Sequence, residues 1–240
     1  MLAATSPLAT QLIRADAAFR AAVRGWDDRQ ALPPDAVDAM AREQMIELRL
    51  ARDGRSYRVV IRDLPTRLRR NVVDDVVAHR ELSAIAPSRP GPPIRLGAAL
   101  SLARLVADDR EAERRSGIPW SVLAAINFVE TDFGRLREAS ASGALGPMQF
   151  MPRTWAAYGR GSIRDPHAAI LAAARFLRAA GGLHDLRAAV LRYNPSRAYV
   201  DAVFRFAGQI RRDPLGVVAL YARRVIVRSG GRYRRLNARS

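Results

Sequence analysis

Apolar positions along this chain recur mostly at helical spacing. Leu12, Ile13, Ala17, Ala21 and Val23 mark a helix over 10–24, and Pro33-Pro34-Asp35 opens a second, carried by Ala36, Val37, Met40, Met45, Ile46 and Leu48. Asp53-Gly54 breaks it. Val59-Val60-Ile61 could be a short strand but has no evident partner, and reads as a helical turn. Pro65 opens another helix through Leu68, Val72, Val73, Val76, Val77 and Leu82. The run Pro87-Ser88-Arg89-Pro90-Gly91-Pro92-Pro93 is the clearest linker, because proline cannot continue a helix and stiffens an extended chain. Helices are then predicted over 97–115, from Pro119 to Phe133, and near 152–159, 166–180, 184–192, 196–210 and 214–227. The pattern predicts an all-α protein in three parts: a helical extension over 1–95, a helical body over 96–212, and a final helix with a basic tail over 213–240.

Composition narrows the classes. A chain of 240 residues, 49% hydrophobic and 26% charged, can bury a substantial core and is not disordered throughout. It has no cysteine, so disulfides and thiolate metal sites are excluded. All 40 basic residues are arginine, and the net charge is +17. Such a protein is drawn to anionic polymers. The last thirteen residues carry Arg228, Arg232, Arg234, Arg235 and Arg239 without an acid, and are expected to form a mobile tail able to touch an anionic wall polymer or membrane surface. No stretch is long and apolar enough to span a bilayer, and Met1–Ala9 lacks the basic head and full apolar segment of an export signal.

Candidate chemistry centres on Glu130, which lies in Phe128-Val129-Glu130-Thr131-Asp132-Phe133-Gly134. Leu123, Ile126, Glu130 and Phe133 share one helix face, and Val122, Ala125 and Val129 cover the next. Burial in such a helix disfavours the charged carboxylate and raises its pKa, which suits a general acid. The alternative is a structural acid paired with one of the many arginines. The small-residue run Ser140-Ala141-Ser142-Gly143-Ala144-Leu145-Gly146-Pro147 lets a sugar chain approach backbone, although such runs are often plain turns. Met148 and Gln149 offer an apolar contact for an acetyl group and an amide for hydroxyls. Tyr193-Asn194 between two helices can present a phenol and an amide, or be a buried tyrosine beside a helix cap.

Together, Glu130-Thr131-x-Phe133-Gly134, Ser142-Gly143-Ala144-x-Gly146-x-Met148-Gln149-x-Met151-Pro152-x-Thr154-Trp155, Asp165-Pro166 and Tyr193-Asn194 resemble the signature of soluble lytic transglycosylase (SLT) domains, which share the goose-type lysozyme fold. Tyr158-Gly159 and Asp165-Pro166 are most similar to the membrane-bound lytic transglycosylase B-like, actinobacterial-type subgroup. The likeness spans roughly residues 100–212. It implies a lysozyme-like catalytic domain acting on peptidoglycan glycan strands. Glu130 would protonate the oxygen between N-acetylmuramic acid and N-acetylglucosamine, then act as base on the muramyl 6-hydroxyl, giving a 1,6-anhydro product without consuming water. Ser140 or Ser142 would lie near the acid, Met148 and Gln149 would line the groove, Tyr193 would position Glu130 or the sugar, and Asn194 would brace that tyrosine. Neither cofactor nor metal is implied. The substrate places the protein outside the cytoplasmic membrane (periplasm, wall or secreted), and a monomer is expected. Ala168, Arg175 and Phe176 stand where such domains often carry Asp and then Asn-Tyr, which bears on substrate preference.

Two rivals remain: a goose-type muramidase-like hydrolase that uses water, and a catalytically silent binder of anionic polymer. Nucleic acid is a poor fit, since arginine is spread along the whole chain and no recognised nucleic-acid module appears. A two-carboxylate glycosidase needs a second acid at a set separation. Asp132 projects from another side of the helix, Glu138 stays open as a candidate, and Asp165 reads as a helix cap. His79, His167 and His184 lack metal-ligand spacing. Asp108, Asp109, Glu111 and Glu113 read as a solvated acidic face. Trp26, Trp120 and Trp155 read as core, with Trp155 also able to wall a sugar site.

Overall fold

The computed structural model describes residues 5–86, 94–229 and 232–236. The proline-rich linker at 87–93 lies outside them. The described elements, in order, are α1 (Pro7–Ala22), α2 (Pro34–Arg52), α3 (Gly54–Asp63), α4 (Thr66–Ile85), α5 (Leu102–Ser116), α6 (Trp120–Thr131), α7 (Pro152–Tyr158), α8 (Pro166–Ala179), α9 (Leu186–Tyr193), α10 (Arg197–Arg212), α11 (Gly216–Ala222), β1 (Ile226–Ser229) and β2 (Arg232–Arg235).

Local sequence explains where most helices start. Ser6, Asp53, Ser101, Asp165, Asp185 and Ser196 each accept a hydrogen bond from a first-turn N–H, satisfying a donor the helix cannot. The Asp53 cap makes Val59–Ile61 part of α3.

The centre of the molecule is α6, whose Leu123 and Ile126 are fully buried. Tyr199, Val203 and Phe206 of α10 fall at i, i+4 and i+7 and are all buried. Phe206 meets Phe128 of α6 edge-on at 4.9 Å. Helix α4 packs along α10. The main core includes Phe19, Met40 and Ala78 from the N-terminal helices beside residues of α6, α8 and α10. A second cluster, with Leu12, Leu50, Val60, Leu64, Leu68, Val72 and Val76, joins α1 to α4. Each such side chain contributes roughly 1.5–3 kcal/mol on burial. No described helix is long and apolar enough to cross a membrane.

Three expectations are corrected. The helix predicted from 97 starts at Leu102, where Ser101 caps it. Ahead of it, Leu96 forms an antiparallel bridge with Leu136, and the Gly97 N–H donates to the Arg135 carbonyl at 2.8 Å. The last predicted helix stops at Ala222, and much of the supposed mobile tail is an antiparallel hairpin of β1 and β2. Gly230-Gly231 between two short β-prone runs is the hairpin signal that the arginine-rich composition obscured. Finally, Asp108 and Asp109 are not solvated: they are 3% and 1% exposed. Asp108 pairs with Arg104 at 3.0 Å, while burial raises the Asp109 carboxyl well above its ordinary range.

Candidate active site

Helix α6 ends abruptly. Asp132, Phe133 and Gly134 all take positive φ (51°, 57° and 77°), so the chain turns off the helix axis directly after Thr131. Glu130 is thereby left in the last helical turn, half-buried. The Thr131 hydroxyl donates to the Pro147 carbonyl at 2.6 Å and accepts the Gly134 N–H at 3.0 Å. This one side chain fastens the small-residue loop to the end of the acid's helix.

The loop is shaped by its own backbone. Leu145 and Phe150 exchange two hydrogen bonds of 2.9 Å, closing a tight turn over Gly146–Gln149. Gly146 has φ 75°, and a Cβ there would fall on the Ile163 carbonyl oxygen, so no other residue fits without a shift. Gln149 also takes positive φ, and its side-chain amide donates to the Gly146 carbonyl at 3.0 Å. Ser140 Oγ accepts the Ala144 N–H at 2.9 Å and contacts Ser142 Oγ at 2.9 Å. Ser142 is exposed.

The Glu130 carboxyl has one defined partner. Tyr199 of α10 donates its hydroxyl proton to Glu130 Oε1 at 2.6 Å. Burial pushes the Glu130 pKa up to about 7, and the Tyr199 bond pulls it back in part. Burial and the nearby Glu130 hold both the Tyr199 and Tyr193 phenols well above their ordinary range, so both stay donors. With Oε1 accepting from Tyr199, the acidic proton belongs on Oε2.

The other sequence candidates make contacts of their own around this acid. Tyr193 donates to the Met148 carbonyl at 2.5 Å, while the bond to Glu130 comes from Tyr199. The Met148 side chain is fully buried, so the expected groove contact for an acetyl group is not available from it; its carbonyl is what Tyr193 holds. Gln149 is partly exposed beside the same turn. Asn194 ends α9 with its N–H on the Val190 carbonyl at 3.0 Å. Rings of Trp155, Phe150, Tyr193, Phe176 and Tyr158 meet in sequence at 5.2–5.7 Å, joining the loop to α7, α8 and α9. Phe176 lies between two tyrosines in that chain, and Arg175 donates to the Tyr158 carbonyl at 2.8 Å. Ala168 donates its N–H to the capping Asp165 at 2.7 Å.

Other acids are engaged elsewhere. Asp132 pairs with Arg135 at 3.2 Å, and burial lifts its pKa to about 6. Glu138 pairs with Arg95 at 2.6 Å. His167 contacts Glu111 at 3.1 Å, and His79 contacts the Tyr233 hydroxyl at 3.3 Å. Tyr199 was missed by sequence reasoning, although a phenol on the apolar face of α10 needs a buried acceptor and so announces one.

A half-buried acid held by a phenol at a helix end, beside a small-residue loop in an all-helical body, can give and take a proton. Residues 109–209 match the family model of the transglycosylase SLT domain. The matched span includes Glu130, the loop, Tyr193 and Tyr199. The match covers under half of the chain and makes this part of it similar to transglycosylase SLT domains. No curated protein and no solved structure gives a match.

Proposed function

We propose that the protein is a peptidoglycan lytic transglycosylase of the membrane-bound lytic transglycosylase B-like kind, working outside the cytoplasmic membrane, with Glu130 as the single acid and base. The observation that carries this reading is the Tyr199–Glu130 bond at 2.6 Å with the carboxyl poised near pH 7. Protonated Glu130 gives its Oε2 proton to the oxygen linking N-acetylmuramic acid to the next N-acetylglucosamine. The bond from that oxygen to the muramyl anomeric carbon breaks, and positive charge develops on the ring. The new carboxylate, steadied by Tyr199, then takes the proton of the muramyl 6-hydroxyl as O6 bonds to the anomeric carbon. Glu130 regains its proton, the product is a 1,6-anhydro sugar, and no water is used. A pKa near working pH serves both steps, because one group must give and then take a proton. Gln149, Ser140 and Ser142 supply hydrogen-bonding groups at the loop, while Tyr193 positions the loop through Met148.

The test is digestion of purified cell wall followed by mass spectrometry. Anhydromuramyl ends are expected, and only reducing ends would indicate a hydrolase in their place. Glu130→Gln should bind wall but leave it uncut; turnover at the parental rate would remove Glu130 as the acid.

A further inference from the structure

A cavity lies beside the end of α6. It holds about 220 Å³ and is bounded by α2, α4, the end of α6, α10 and the 223–226 segment. Leu82, Phe128, Phe206 and Ile226 supply apolar wall, and Glu47 and Asp132 supply carboxyls. Both acids are deeply buried, at 2% and 8% exposure. Each has one oxygen occupied: Glu47 Oε2 by Arg223 at 2.5 Å, and Asp132 Oδ1 by Arg135 at 3.2 Å. The other oxygens, Glu47 Oε1 and Asp132 Oδ2, are buried and accept from no donor among the described residues, although the protonated Glu47 carboxyl also hydrogen-bonds to that of Asp75. Buried acceptors of this kind are costly unless a donor reaches them. Arg223 is also engaged by Asp75 at 3.0 Å, with Glu43 close by in charge. Burial and the neighbouring Asp75 drive the Glu47 carboxyl upward against Arg223, so it holds a proton that a bound cation can displace; Asp75, His79, Arg223 and Arg224 complete the charged and titratable lining.

We propose that this cavity binds a primary ammonium on a short aliphatic arm, its N–H donors going to Glu47 Oε1 and Asp132 Oδ2 and its methylenes lying against Leu82, Phe128 and Phe206. The position suggests who carries the group. Val129 lines the cavity and adjoins Glu130. Phe206 is seven residues from Tyr199, about 10 Å along α10. A peptide attached to the muramyl sugar covers roughly that distance in three residues. The diamino acid of a peptidoglycan stem fits in chemistry and reach. The identity of that carrier rests on the function proposed above; the ammonium site does not.

The experiment is isothermal titration of the full chain at pH 7 with two glycan-free probes: the stem tripeptide Ala-γGlu-Lys, and the same peptide acetylated on its side-chain amine. The free amine should bind at least about tenfold more tightly and release protons, read as a buffer-dependent heat. Glu47→Gln and the cavity-filling Ile226→Trp should each abolish the preference while thermal melts show folded protein. Equal affinity for the two peptides, binding of neither, or a preference surviving in both variants would overturn the site. Digestion of intact cell wall by the wild type separates the failures: if wall is cut but the preference is missing, only the ammonium site falls; if wall is not cut but the preference holds, only the role of Glu130 does.

Discussion

Replacing Tyr199 with Phe removes one hydroxyl and leaves the ring in place. The lost bond, 2.6 Å to Glu130 Oε1, favours the ionised carboxyl, so its removal raises a pKa that now lies at about 7. A hydrogen bond to a charged group contributes roughly 1.5–3 kcal/mol. At 1.36 kcal/mol per unit, that moves the Glu130 pKa up by about one to two units. Because the first step needs protonated Glu130, activity in wild type should fall as pH rises through about 7. In Tyr199→Phe this alkaline limb should move to about pH 8 or higher, while the maximal rate drops because the carboxylate formed in the reaction loses its donor. The assay is the pH profile of anhydromuramyl release from purified wall. A limb that stays in place or moves to lower pH refutes the assignment of Tyr199 as the group that tunes the acid; a uniform loss of rate would mean only a structural role.

Glu130→Gln should melt higher than wild type at pH 8, by up to roughly 3 kcal/mol, because the folded wild type must then hold a buried carboxylate whose pKa is raised from 4.5 to about 7; calorimetry reads it. Glu43, raised from 4.5 to about 8, binds its proton in the folded state after the unfolded chain has released it, so stability should decline as pH rises from about 5 to 8, and Glu43→Gln should flatten the upper part of that decline. Gly146→Ala puts a Cβ onto the Ile163 carbonyl at a φ of 75° and should cost about 2 kcal/mol or more in urea unfolding. Thr131→Val removes the 2.6 Å bond to the Pro147 carbonyl and should lower wall turnover more than Leu→Ile changes in the second core, since it frees the loop beside the acid.

How much of this was legible in the sequence differs by residue. Glu130 stood out because a carboxylate among Leu123, Ile126 and Val129 contradicts its surroundings, and such contradictions mark chemistry. The helices were legible from spacing and capping residues. Tyr199 was hidden by its similarity to a core aromatic: its spacing from Val203 and Phe206 says only that it is buried, and its acceptor lies 69 residues away. Met148 faces inward because Gly146 and Gln149 adopt positive φ, a turn geometry that side-chain types alone do not orient. Asp108 and Asp109 looked solvated because acids near arginines usually are; the packing of α5 against α6 and α8 decides otherwise.

The end of α6 sets the surroundings of two carboxyls. Two carboxyls separated by one residue, Glu130 and Asp132, have opposite surroundings because the chain leaves the helix between them. Glu130 keeps helical geometry and faces Tyr199, a neutral donor, so burial prevails and its pKa rises to about 7. Asp132, already left-handed, is pointed toward Arg135; burial raises its carboxyl as well, to about 6, and Arg135, with Arg223 and Arg224 more distantly, opposes that rise. Extending the helix by a single residue would rotate Asp132 by about 100° and take it from Arg135. The backbone turn therefore separates the carboxyl that meets a neutral phenol from the carboxyl that meets a guanidinium.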